Sequence, residues 1–319
     1  MRRGGARFAA DPRVELLGVV SRLAGRTADP VAPPWADFAG GFSRFSSLEA
    51  VRLRAAHREE DALGLIAQLW SADAGLEWSR PRSLLSADFF EAVGGPEELE
   101  RFRAALAAFA RAAGFFEAWR ERGPALAGPA QAAAKERWKT GARDVAALES
   151  YLGESLPASL TFVLCGVYAP RRYSAYILPY PYPRPMETVL PRGPFEVITL
   201  LDASSGGAGL DEPLERGLLQ ELVYCWAEPF VWTHRGLLLG KDRAADWQYS
   251  LTRALCEGVA ARAAAAAGRP YHVAPGGPLA AAVRDALDGF ERGRTRSLTA
   301  HGPKLAAALS ASAARARAA

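Results

Sequence analysis

Residues 214–229, LERGLLQELVYCWAEP, constrain the fold more than any other stretch, because they read as a helix with one broad apolar face. Leu214, Leu218, Leu222 and Trp226 recur every four residues, with Leu219 and Val223 beside them. At 3.6 residues per turn, Gly217, Gln220, Glu221 and Tyr224 gather on the opposite side. Positions 220 and 224 lie one turn apart and point the same way, with the carboxylate of Glu221 between them.

The chain upstream changes character at Ser159. LTFVLCGVY, from Leu160, is rich in β-branched and aromatic residues, and YSAYILPY and PFEVITLLD read as its sheet partners. Prolines at 179, 181, 183 and 185 keep the intervening PYPYPRPMETVLPRGP out of any central strand. A rim loop beside the sheet and a polyproline II course are the two accounts of it. Ser204 to Gly209 reads as a connector into the helix, since no Lys-Ser/Thr follows its glycines as a phosphate loop requires.

Most of the remainder is helical. Asp11-Pro12 opens a helix as N-cap and first-turn proline, and Gly25 closes it; Val14, Leu17, Val20 and Leu23 form its buried side. Ser47 to Trp70 reads as one or two helices, with His57 among charged neighbours as a surface residue. Pro96 to Ala113 is a strong helix with Phe102, Leu106, Phe109 and Ala110 inward and Gly114 as its stop. GFFEAWRERGPAL is a second, short helix, Gly128-Pro129 breaks the chain, a polar helix runs through Trp138, and Asp144 caps another to Leu152. After Pro229, FVWTHRGLLLG is a short helix, with His234 as a core or rim residue. A long helix runs from about Asp242 to Ala267 and a helix-rich block follows from Pro278. The expected fold is α+β and mostly helical. A helical region spans 1–156, a core of small mixed sheet plus two site helices spans 157–270, and a C-terminal helical region spans 271–319.

Composition narrows the function. The net charge of +4 comes mainly from arginines dispersed among Glu and Asp, which lacks the clustered basic stripe and aromatics of a nucleic-acid groove. Three widely spaced cysteines, Cys165, Cys225 and Cys256, form no CxxC or Cys/His zinc cluster. No uncharged apolar run reaches the roughly 20 residues of a membrane span. MRRGGARFAADPRVELL lacks the apolar core of a signal peptide, so the expectation is a cytoplasmic protein unless an export signal lies upstream. Oligomeric state is not legible.

Several segments resemble one family. DPRVELLGVVSRLAG, followed by Phe38, Phe42 and Phe45, is similar to the opening of an uncharacterised bacterial family of gluzincin-like zinc metallopeptidases, catalogued as a domain of unknown function. ELERFRAALAAFARAAGFFEAW resembles a helix of the same family that runs into a Phe-Phe pair. Gln220-Glu221, Trp226 and Pro229 match the spacing of the family's His-Glu-x-x-His-x-aromatic-x-x-Pro, and Arg253-Ala254 matches a pair on its second helix. In a zinc peptidase helix, imidazoles at i and i+4 hold the metal and the intervening Glu is the general base.

The resemblance implies a zincin-like fold in which Gln220, Tyr224 and Tyr249 stand at the three metal-ligand positions and Glu221 is a remnant general base. Tyr180 and Tyr182 would lie near the cleft, beside the edge strand, and Arg253 would be a counter-ion for Glu221. A carboxamide and two phenols do not replace two imidazoles and a carboxylate as zinc donors, so zinc, expected in the family, is expected to be absent here. Rebuilding a site from Glu221, Cys225 and His234 is disfavoured, because Cys225 turns toward the apolar stripe and using Glu221 as ligand removes the base. The expectation is therefore a catalytically inactive zincin-like pseudopeptidase that binds an extended peptide or a protein. One alternative is a hydrolase with a nonstandard metal or with Glu221 as a metal-free acid/base; another is a plain interaction or structural protein.

Overall fold

A computed structural model describes residues 6–27, 31–57, 65, 69, 72–73, 75–77, 94–156, 158–168, 174–178, 195–203, 218–238, 245–271, 278–293 and 297–318. Its centre is one mixed sheet of β1 (Ala6–Ala9), β2 (Ala158–Cys165), β3 (Ser174–Leu178) and β4 (Phe195–Asp202). The spatial order is β1-β2-β4-β3. β1 and β4 flank β2 in parallel, and β3 runs antiparallel to β4 at the far edge. The fold is thus mostly helical α+β, as the sequence predicts.

Strand β2 is covered on both sides. Leu160, Phe162 and Leu164 share one hydrophobic cluster with Phe8 and Leu201, while Val163 and Cys165 share a second with Leu200. Alternate side chains point to opposite faces, so a strand buried on both faces reads as a nearly continuous apolar run. That is why LTFVLCGVY alternates only weakly.

Helices α1 (Pro12–Leu23), α2 (Pro33–Gly40), α3 (Glu49–Ala56) and α4 (Pro96–Ala113) build the second cluster. Asp11 caps α1 by accepting a hydrogen bond from the Arg13 amide at 2.8 Å. Pro96 opens α4, and Gly114, at a φ of 62°, ends it in the left-handed conformation that suits glycine. His57 is not simply a surface residue, because its ring packs edge-on against Phe102, with centroids 5.4 Å apart. Phe38 and Phe42 are buried against Phe115, while Phe45 meets Phe109.

The sequence reading breaks the chain at Gly128-Pro129 and caps a new helix at Asp144. The structure instead holds a single helix, α5 (Phe115–Leu152), with Pro124 and Pro129 inside it. Each proline removes one helical hydrogen bond, a local penalty of roughly 3 kcal/mol. Burial on either side overrides it. Phe115 and Ala127 belong to the second cluster, whereas Ala130, Ala134, Trp138 and Leu148 belong to the first. Helix α5 therefore passes from one core to the other beside β1, where the Gln131 side-chain amide donates to the Phe8 carbonyl at 2.8 Å. Asp144 is no cap. It is buried within α5 and accepts from Arg269 Nη1 at 2.6 Å.

The first cluster is completed by α6 (Leu218–Thr233), α7 (Arg235–Leu238), α8 (Ala245–Ala266), α9 (Pro278–Gly293) and α10 (Gly302–Ala318). Strand β1 corrects the expected sheet, whose strands all lie between Ser159 and Asp202. It comes from the N-terminal region, and a four-residue ARFA with one large apolar side chain carries too little pattern to be seen in sequence. The proline-rich segment 179–194 and the 204–209 connector lie outside the described residues. Among the described residues, no helix is long and apolar enough to cross a membrane.

Close packing of α1 on the chain after β2 is directly testable. A Cβ at Gly18 would sit 2.6 Å from the Tyr168 amide nitrogen, a backbone atom with little freedom to yield, whereas one at Gly289 in α9 meets nothing within 4 Å. Gly18→Ala should lower stability by about 1–3 kcal/mol through overpacking. Gly289→Ala should raise it by about 0.5–1 kcal/mol through helix propensity alone. Urea denaturation midpoints of the two variants, read at constant m-value, check the opposed signs.

Candidate functional site

Helix α6 carries the stretch from which the sequence argument starts. Leu219, Leu222, Val223, Trp226, Ala227, Phe230 and Val231 are buried on its core side. It packs against α8 and also touches β3 and β4, so the helix joins the antiparallel edge of the sheet to the second long helix. The sequence reading places Phe230 to Thr233 in a separate short helix after Pro229, but they continue α6. Pro229 cannot donate to the Cys225 carbonyl; aromatic packing across that gap keeps the turn intact. Trp226 and Phe230 stack with centroids 5.0 Å apart, and His234 lies 4.9 Å beyond Phe230. The Trp226 indole N–H also donates to Thr299 Oγ1 at 3.1 Å, tying α6 to the chain before α10. His234 is a half-buried rim residue whose pKa burial lowers.

On the other side of α6, Gln220, Tyr224 and Glu228 form a half-buried row at four-residue spacing. Tyr224 donates its hydroxyl hydrogen to Glu228 Oε1 at 3.0 Å. The Glu221 side chain, Tyr180 and Tyr182 lie outside the described residues.

Helix α8 presents Leu251, Ala254, Leu255, Val259 and Ala260 to the core. Tyr249 is 62% exposed near its start. Arg253, one turn further on, is also exposed and donates from Nε to Glu257 Oε1 at 3.4 Å. The structure thus gathers Gln220 and Tyr224 on one row of α6, and Tyr249 and Arg253 on one exposed row of α8. Glu228 and Glu257, the carboxylates that Tyr224 and Arg253 engage, escaped the sequence reading. Their i, i+4 spacing to those two residues is the signal that finds them.

The donor chemistry on this face does not suit a catalytic zinc ion. Zinc in peptidases takes neutral imidazoles and a carboxylate, whereas position 220 offers a neutral carboxamide. The Tyr224 phenol keeps its proton and commits it to Glu228. Cys225 is half-buried and Cys256 buried, and neither enters a disulfide. Among the described residues, no three His, Cys, Asp or Glu side chains group closely enough to hold a metal ion.

No protein-family model matches the chain, and neither the curated proteins nor the solved structures contain a significant match.

The Tyr224–Glu228 bond supplies a measurable quantity. Removing the hydroxyl in Tyr224→Phe should cost about 0.5–1.5 kcal/mol, the usual net worth of one hydrogen bond. A double-mutant cycle with Glu228→Ala should return a coupling of about the same size. A coupling indistinguishable from zero in urea unfolding means the two side chains do not act together.

Proposed function

We propose that this chain is a zincin-like pseudopeptidase: a peptidase-type scaffold that has lost its metal-binding residues and retains a cleft for an extended peptide. The observation that carries the proposal is the seat of α6, held between the sheet edge at β3 and β4 on one side and α8 on the other. A peptidase of this type needs that juxtaposition, because its substrate lies along an edge strand while two adjacent helices supply the metal ligands. Support also comes from the antiparallel direction of β3 at the end of an otherwise parallel sheet. The resemblance of DPRVELLGVVSRLAG and of the Gln220–Pro229 spacing to the gluzincin-like family points the same way.

Chemistry then decides between a working site and a degenerate one. Hydrolysis by zinc depends on a bound water whose pKa falls to about 7. Gln220, Tyr224 and Tyr249 cannot hold the ion that would do this, so Glu221 has no activated water to serve. What remains useful is recognition. An edge strand offers backbone N–H and C=O groups to an added strand, and flanking side chains set its preferences. On this reading Arg253 with Tyr249 lies at the α8 border of the cleft.

Metal content and its deliberate restoration test the proposal together. The purified protein should carry no stoichiometric transition metal by elemental analysis and should leave a broad peptide library uncleaved. The triple variant Gln220→His, Tyr224→His, Tyr249→Glu should bind one zinc ion in calorimetry. A folded triple variant that binds none overturns the alignment of the two helices with a zinc site. Stoichiometric metal in the unaltered protein, or peptide turnover abolished by Glu221→Gln, overturns the inactive reading in favour of a hydrolase.

A further inference from the structure

Glu15 occupies an unusual place for a carboxyl group. It sits in the first half of α1 and is fully buried. Its Oε1 accepts the Gly166 N–H at 2.5 Å and its Oε2 accepts the Val167 N–H at 2.7 Å. Those two residues immediately follow β2, and with Tyr168 they begin the segment that leads to the edge strand β3.

The surroundings are shaped to this contact. Gly18, one turn along α1, has no Cβ and so lets the Tyr168 backbone approach. Trp35 of α2 covers Gly166 so closely that a Cβ there would lie 2.1 Å from the indole. Both carboxylate oxygens therefore serve backbone amides inside a buried, close-packed site. Chain segments 151 residues apart are joined through one side chain.

We propose that Glu15 is a pH-sensitive latch, fastening Gly166 and Val167, where the chain leaves β2, to helix α1. This inference stands apart from the peptidase-like reading, since it concerns how the segment is held and not what binds beside it.

The sign of the response follows from three opposed influences. Burial, the largest, penalises the charged carboxylate; the amides of Gly166, Val167 and Tyr168 favour it; Asp11 on the same helix disfavours it. The outcome is a pKa raised to about 7 from an ordinary 4.5. Two further ionisable groups stand near it. Cys165 at the end of β2 is a buried thiol whose pKa is pushed up by burial and then by the charges of Glu15, Asp202 and Asp11. The cation closest in sequence, Arg13, pairs with Asp11 at 2.5 Å.

Because the closed latch holds its proton more tightly than an open, hydrated one, protonation favours closure. The latch contributes its full stability below pH 4.5 and loses it as the pH rises through about 7.

Amide hydrogen exchange in the full chain reads this locally. After correction for intrinsic rates, protection of the Gly166 and Val167 amides should fall about 20-fold between pH 5.5 and pH 8. The Leu287 amide in the core of α9 should change far less, and Glu15→Gln should level the response at both latch amides. An equal change at Leu287 marks a global loss of stability and overturns the latch. Should Glu15→Gln not fold, the carboxyl carbon of Glu15 in the unaltered protein can be titrated by NMR. A midpoint near 7, tracked by the Gly166 and Val167 amide shifts, supports the proposal; one near 4.5 overturns it.

Discussion

Everything else in this molecule depends on the need to bury β2 and β4 on both faces. Leu164 and Leu201 stand side by side on one face of the sheet, and Val163 and Leu200 on the other. Each face requires its own helical layer, and the chain supplies them in sequence: α1 to α4 on one side, α6 to α10 on the other. Burial of a single Leu or Val side chain is worth about 1.5–3 kcal/mol, so exposing either face is not an option for strands of this composition. The unusual length of α5 is the consequence. It must leave one core and enter the second, and it does so past the outer edge of β1 without interrupting its backbone.

The same requirement explains why buried cations inside the N-terminal half reach for backbone carbonyls. Arg54 is completely buried, with Nε donating to Ser21 Oγ at 2.9 Å and Nη1 to the His57 carbonyl at 3.3 Å. Arg103 donates to the Leu76 carbonyl and to Glu100. These cations end on carbonyls at places where the chain turns, as Glu15 ends on amides after β2. Short helix α3 offers little apolar surface of its own. Charge-assisted hydrogen bonds, individually stronger than neutral ones, fix loops that packing alone would leave loosely placed.

Much of this was legible wherever a local signal dominates. Helix α4 begins at its proline and ends before its glycine as read, and α1 starts at Asp11, because caps act within one turn. The apolar side of α6 was legible at Leu219, Leu222, Val223 and Trp226 for the same reason: periodicity is local. What escaped depends on distant partners. Pro124 and Pro129 signal a break, and only the two cores on either side of them keep α5 whole. Strand β1 is defined by pairing with β2, where Phe8 lies opposite Phe162. Glu15 looks like a surface carboxylate until Gly166 and Val167 are brought to it. At the candidate site, the Gln220–Tyr224 row and the i, i+4 tie from Tyr224 to Glu228 follow from spacing, but the outward placement of Tyr249 does not.

On the pseudopeptidase reading proposed above, the packing of α6 on α8 explains how a metal site is lost without losing the fold. Where a structural zinc ion holds elements together, its binding energy is folding energy, and losing the ligands unfolds the domain. Here the two helices pack together, and Leu222, Val223, Leu255 and Val259 are buried in one cluster with residues of β2 and β4. Trp226 and Phe230 extend it toward Thr299 and His234. A pair of helices secured in this way places no demand on positions 220, 224 and 249. Tyr249, which is 62% exposed, can change at little cost in stability, while Tyr224 finds its hydrogen-bond acceptor along its own helix. On the proposed reading, a scaffold held by its core outlasts the chemistry it carried.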